Sequence, residues 1–132
     1  MYMLDTNICI HVLKRREERL RRKFQAVGDL CISSITYGEL CFGIENGIAS
    51  LRKERYRQLD LFTRKLLVDS WGEEAAIHYG QIRAVLRRDG RIIGNNDLLI
   101  AAHARSMNAI LVTNNTCEFS RVADLVTEDW LA

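Results

Sequence analysis

The chain has 132 residues, 48% of them apolar, with 19 Lys+Arg against 17 Asp+Glu, a formal net charge of +2. That length suits one domain with a real core, leaves two independent cores cramped, and needs neither disulfide nor structural metal. No apolar run approaches the roughly 20 residues of a membrane span, and the absence of proline argues against a proline-rich linker.

Met1 to Leu4 reads as a short buried strand, and Asp5-Thr6-Asn7 then supplies helix-starting chemistry for an apolar helix over 8–13. Asp5 interrupts this first apolar stretch and no basic leader precedes it, so it does not read as a secretory signal. Residues 14–27 carry Leu20, Phe24 and Val27 at helical spacing, as in a surface helix. Gly28-Asp29 is a turn, and 30–33 a second buried strand. Ser33 or Ser34 starts the next helix, which runs to about Asn46 with Gly47 as its stop. Residues 50–66 are again helical, 67–69 a short strand. Residues 73–88 form a helix with acids in its first turn and arginines in its last, matching the macrodipole. Asn95 or Asn96 caps a helix from Asp97 to about Ser106 that is apolar nearly all round and therefore buried. A third clear strand spans 109–112. A short helical turn near Glu118-Phe119 and a last strand near Leu125-Val126 complete the chain.

Continuous apolar strands alternating with helices point to an α/β fold, a parallel sheet covered on both faces. Ligands gather at the carboxyl ends of such strands. Asp5 ends the first strand, Glu39 lies on the helix after the second, Asp97 opens the buried helix before the third, and Thr113-Asn114-Asn115 ends that strand. If the strands are parallel, three carboxylates converge on one rim. Clustered carboxylates resist ionising together, and a hard divalent cation such as Mg²⁺ or Mn²⁺ resolves the conflict. Such an ion activates water and polarises a phosphoryl oxygen, the chemistry of phosphodiester hydrolysis. Each acid also has a plain alternative. Asp5 and Asp97 suit helix N-termini, and Thr36-x-x-Glu39 reads as a capping box. Spacing alone does not decide between caps and a metal site. No GxGxxG, GxxxxGK[ST] or GxSxG is present.

Basic residues cluster at 14–23 (net +5) and 83–91 (net +3), and 15 of the 19 are Arg. Arg15, Arg16, Arg83, Arg87 and Arg88 are candidates for gripping RNA phosphates, with a solvated helix face as the alternative. Cys9, Cys31, Cys41 and Cys117 form no CxxC pair; the first three lie in apolar runs as small hydrophobes, the pattern of a cytoplasmic protein. His78, His103, Trp71 and Trp130 read as packing residues.

MLDTN at 3–7, ISSITYGEL at 32–40, IGNNDLLIAAHA at 93–104, LVTNNTCEF at 111–119 and the terminal EDW at 128–130 resemble the PIN-domain ribonucleases, nearest the VapC toxin branch of type II toxin–antitoxin systems. The resemblance runs the length of the chain. It implies one PIN-like domain over 1–132, a three-layer α/β/α sandwich around a mostly parallel sheet, and an Mg²⁺-dependent endoribonuclease in which Mn²⁺ can substitute. By position, Asp5, Glu39 and Asp97 match the family's metal-binding acids. Thr6, Asn7, Thr113 and Asn115 are expected to orient them, and Asn115 stands where many relatives carry a fourth acid.

The resemblance further implies a VapB-like antitoxin whose tail blocks the acidic site, and contact with DNA only through that antitoxin. It implies a homodimer using helices within about 35–66, with Tyr37, Phe42 and Leu59 as an apolar patch. It also implies an RNA substrate, with the anticodon stem-loop of initiator tRNA as the leading expectation, and no membrane partner. A non-cleaving PIN-fold binding module and another metal-dependent phosphoesterase remain the alternatives.

Overall fold

A computed structural model describes residues 1–15 and 17–132, so the predicted phosphate contact at Arg16 lies outside the described residues. The strands are β1 (Tyr2–Leu4), β2 (Leu30–Ser33), β3 (Leu67–Asp69), β4 (Ile110–Val112) and β5 (Thr127–Glu128). They form one sheet in the order β3-β2-β1-β4-β5, every pair parallel. The helices are α1 (Thr6–Ile10), α2 (Glu18–Ala26), α3 (Ser34–Glu45), α4 (Arg52–Thr63), α5 (Glu73–Arg88), α6 (Asn95–Ser106) and α7 (Thr116–Phe119). A π-helical turn over His11–Arg15 follows α1, and a 3₁₀ turn over Ala49–Leu51 precedes α4.

The strands are apolar on both faces because both faces are covered. Successive side chains of a strand point to opposite sides. Met3, Cys31 and Leu111 enter one apolar cluster with Ile82, Leu86, Ile100 and Phe119 from α5, α6 and α7. Their neighbours Leu4, Ile32 and Val112 enter the other, with Ile8, Leu20, Leu40 and Leu59 from α1 to α4. Helices on each side of one parallel sheet make the α/β/α sandwich that the strand pattern predicts.

Most element boundaries agree with the sequence reading to within a few residues. Ser33, not Ser34, caps α3, its hydroxyl accepting from the Ile35 amide at 3.1 Å. Gly94 precedes α6, with no side-chain cap. The last strand pairs at Thr127–Glu128 rather than 125–126: the Leu111 amide bonds the Val126 carbonyl at 2.9 Å and Thr113 bonds Glu128 at 3.0 Å. Leu59 faces the core at 1% exposure and so leaves the apolar surface patch, whereas Phe42 is 68% exposed. Cys9 and Cys31 are buried, Cys41 partly so, and all four thiols are free. No helix among the described residues is long and apolar enough to cross a membrane.

Replacing Leu111 by alanine, between β1 and β5 and fully buried, is expected to cost about 2–5 kcal/mol in urea unfolding. Ile92→Ala, at an exposed position, is expected to stay within about 0.5 kcal/mol of the parent.

Candidate metal centre and active cleft

The register of the sheet delivers the acids to one rim. Leu4 of β1 pairs with Val112 of β4, and the Asp5 amide donates to the Val112 carbonyl at 3.0 Å. Asp5 and Thr113 thus leave their strands side by side, and the nearby Thr113 hydroxyl favours the ionised form of the Asp5 carboxyl. Asp5 also caps α1, accepting from the Ile8 amide at 2.9 Å. Cap and site are therefore one role: the cap fixes the carboxylate at the rim. Asp5 is only 3% exposed. Burial, more than any neighbour, pushes its carboxyl above the usual range; the hydrogen bonds from Thr113 and Ile8 oppose that, and the charge of Glu39 adds to it.

Glu39 comes from α3, whose capping by Ser33 leaves it inside the helix rather than in a capping box. Both its oxygens are held. The Thr6 hydroxyl donates to Oε1 at 2.6 Å and the Asn96 amide to Oε2 at 2.9 Å. Thr6 thus orients Glu39 rather than Asp5, and Thr36 lies 3.3 Å from the same hydroxyl. Asn96, which directly precedes Asp97, has a role at the site that the sequence pattern does not announce.

Asp97 stands in the first turn of α6. Its carboxyl is pushed up to about 6, first by burial, then by the charge and hydrogen bond of Glu118, then by the charges of Asp5 and Glu39. Glu118 is the functional residue that sequence reasoning missed. It accepts from the Gly94 amide at 2.8 Å and from the Asn115 side chain at 2.6 Å. Those bonds, the Gly94 amide foremost, hold it below the ordinary glutamate range. Of the two carboxyls, Asp97 therefore holds a proton to the higher pH. Asn115, which occupies the place of a fourth acid, positions a real fourth acid one helical turn later. The available signal was Asn115-x-x-Glu118, an acid just beyond the carboxyl end of β4.

Asp5, Thr6, Asn7, Gly38, Glu39, Asn96 and Asp97 line a cleft of about 670 Å³, with Ile35 and Phe42 on its wall. Among the described residues no three acidic, His or Cys side chains meet tightly enough to enclose an ion directly. The donor set nevertheless fits a hard cation that keeps much of its water, as Mg²⁺ does when bound by one or two carboxylates. The part of the Asp97 shift that comes from neighbouring negative charges fits this too, because a bound cation would oppose it.

Of the predicted phosphate contacts, Arg83 and Arg87 line a separate pocket of about 460 Å³ with Ile92, Ile93 and Asn95, beside the start of α6. Arg83 also donates to the Tyr79 hydroxyl at 2.8 Å. Arg15 and Arg88 are exposed and line neither space. Trp71 and Trp130 are packing residues. The Trp71 indole donates to the Leu99 carbonyl and Trp130 stacks near Tyr2 and Phe24.

Asp5 just after β1, Glu39 on α3 and Asp97 on α6 thus share one cleft at the carboxyl rim of a parallel sheet, a donor set suited to a hard cation. The sequence matches the PIN domain over residues 2–125, and the chain belongs to the PIN-domain family, whose ribonucleases depend on metal. Within that family it falls among the VapC ribonucleases. It is 45% identical over 130 residues to the tRNA(fMet)-specific endonuclease VapC of Shigella flexneri, covering 98% of this chain and 97% of that one. Among solved structures it resembles DNA-bound VapBC from Salmonella typhimurium, at 42% identity and a TM-score of 0.93 over 98% of this chain and 97% of that one. It equally resembles VapBC2 from Rickettsia felis bound to a promoter DNA fragment, at 36% identity and a TM-score of 0.93 over 98% of each chain.

The Asp97 shift carries a pH dependence of definite sign. Between the ordinary value of 3.8 and about 6 the folded chain keeps a proton that the unfolded chain releases. Ionisation of Asp97 therefore destabilises the metal-free fold as pH rises through that window. Removing the Glu118 charge by Glu118→Gln is expected to lower the Asp97 midpoint below about 6 in a carboxyl-carbon NMR titration. An unmoved midpoint would exclude Glu118 and leave burial and the charges of Asp5 and Glu39 as the causes.

Proposed function

We propose that this protein is the toxin of a type II toxin–antitoxin pair, a single PIN-like domain over residues 1–132. It acts in the cytoplasm as an endoribonuclease on tRNA and so inhibits translation. The observation that carries this reading is the convergence of Asp5, Glu39 and Asp97, from three different elements, on one open cleft. The relatives named for tRNA(fMet) cleavage support initiator tRNA as the substrate, with its anticodon stem-loop as the leading target.

Asp5, Asp97 and Glu39 would hold Mg²⁺, with Mn²⁺ as a substitute. When bound, the ion supplies water activation and offsets charge developing on the phosphoryl oxygens. The chain's own work is positional. Thr113 and the Ile8 amide fix Asp5, Thr6 and Asn96 fix Glu39, and Asn115 holds Glu118 against Asp97. Because Asp5 and Glu39 already have their hydrogen bonds, little reorganisation of these two is left for the reaction. Asn7, exposed at the mouth of the cleft, can meet ligand waters or the ribose. Arg83 and Arg87 present guanidinium forks beside the cleft for RNA phosphates, and Arg15 and Arg88 extend the basic surface.

The partner of this reading is a VapB-like antitoxin whose tail covers the acidic cleft. The VapBC complexes among the structural relatives support it, two of them described with DNA, which this chain would reach only through the antitoxin. A homodimer is part of the proposal, with exposed Phe42 and half-buried Tyr37 on α3 at its interface.

Purified antitoxin-free protein is expected to cut total tRNA into discrete fragments in Mg²⁺, and to stop on addition of EDTA or in Asp5→Ala. RNA binding without cleavage would favour a non-cleaving binding module; equal cleavage by Asp5→Ala would contradict the site. Replacing Arg83 and Arg87 by alanine is expected to weaken RNA binding. It should also reduce the slope of log affinity against log salt by about 0.7 for each single-strand phosphate that these arginines neutralise.

A further inference from the structure

The carboxylates of the cleft stand on separate elements, so the rim is only as well defined as the contacts that lock those elements together. One such contact lies behind it. His103, on α6 and 2% exposed, has Nδ1 at 2.7 Å from the Ser33 hydroxyl and Nε2 at 2.8 Å from Asp69 Oδ2. Ser33 and Asp69 are register partners, the last residues of β2 and β3. The Ser33 oxygen already accepts from the Ile35 amide, so its own proton can go to His103 Nδ1. In the tautomer with its proton on Nε2 the ring donates to Asp69 and accepts at Nδ1, so both ring nitrogens have a partner.

The trio has the composition of a hydrolytic triad but not its function. Ser33 is fully buried and its oxygen is engaged as a helix cap. What the trio does is connect. Ser33 starts α3, which carries Glu39; His103 belongs to α6, which carries Asp97. A second tie runs parallel to it. The Trp71 amide donates to Ser34 Oγ at 3.0 Å, and its indole donates to the Leu99 carbonyl at 2.9 Å, two residues beyond Asp97.

We infer that His103 is a positioning residue for the nuclease site: the Ser33–His103–Asp69 chain clamps α6 to the start of α3 and so fixes Asp97 relative to Glu39. The inference rests on the nuclease reading for its kinetic readout only. His103 touches neither carboxylate, and a neutral imidazole between two partners gives directional bonds that apolar packing does not. Supporting groups of this kind are worth about 10–100-fold in metal affinity or activity when removed.

The test uses the full chain with three substitutions. His103→Phe keeps the ring volume and removes both bonds. Asp69→Ala removes the far end of the chain at a side chain 34% exposed, where no core volume is lost. Asp69→Asn keeps an oxygen for the Nε2 proton. Calorimetric Mn²⁺ binding without RNA and steady-state cleavage of tRNA are both measured, with urea unfolding as the control for folding. His103→Phe and Asp69→Ala are expected to weaken Mn²⁺ binding about 10-fold and to lower kcat about 10-fold with KM for tRNA within about twofold. Asp69→Asn is expected to recover most of both. Asp69→Ala with parental Mn²⁺ affinity and kcat would overturn the inference, whether or not His103→Phe folds, because the histidine would then serve packing alone. A parent chain that binds Mn²⁺ in a manner sensitive to Asp69→Ala yet cuts no RNA would overturn the nuclease reading and leave the clamp standing.

Discussion

Like-charge repulsion inside a half-buried cleft is the constraint on which the rest of this structure depends. Burial first, and then the nearness of Glu118, Asp5 and Glu39, raise the Asp97 carboxyl to about 6. A fold does not gather carboxylates in this way without cost. The cost is tolerated because the surrounding elements are held by two apolar clusters, one on each face of the sheet, that do not depend on the rim. The same strands that alternate their side chains between those clusters end at a common edge, and that edge is where the charge is placed.

Three of the four acids are restrained, each by a different local device. Asp5 is spent in part as a helix cap. Glu39 is gripped by a threonine and an asparagine from two other elements. Glu118 is anchored on a backbone amide, which holds its own carboxyl low, and its charge helps to raise that of Asp97. Fixed dipoles therefore face the carboxylates before any ligand arrives, and in the proposed reading a divalent cation would supply the charge the arrangement lacks. The labour is divided: apolar contacts give stability, hydrogen bonds give geometry, and the crowded carboxylates would give affinity for a metal.

Much of this is legible in the sequence. The apolar runs at 2–4, 30–33 and 110–112 are strands because nothing but burial on both faces explains them. Asp5, Glu39 and Asp97 follow from where those strands end, once they are taken as parallel. Spacing cannot separate cap from ligand at Asp5 because the side chain is built to be both. Glu118 stays hidden in the sequence because its role depends on a loop that brings Gly94 beneath it from 24 residues away. Leu59 looks like surface because Tyr56, Leu59, Leu61 and Phe62, spread round a charged helix, do not say which way that helix is turned. His103 reads correctly as a buried, satisfied histidine, but its partners Ser33 and Asp69 become neighbours only through the register of β2 and β3.

The measurement that bears most directly on the central claim is the stability of the parent and of Asp97→Asn, each with EDTA and with Mg²⁺, by urea unfolding at pH 7.5. If the cleft stores unrelieved repulsion that a cation relieves, Asp97→Asn is the more stable protein in EDTA. The parent then gains on adding Mg²⁺, by about 2.7 kcal/mol at a hundred times its Kd, while the variant gains little. A variant less stable than the parent in EDTA, or a parent indifferent to Mg²⁺, would contradict the account.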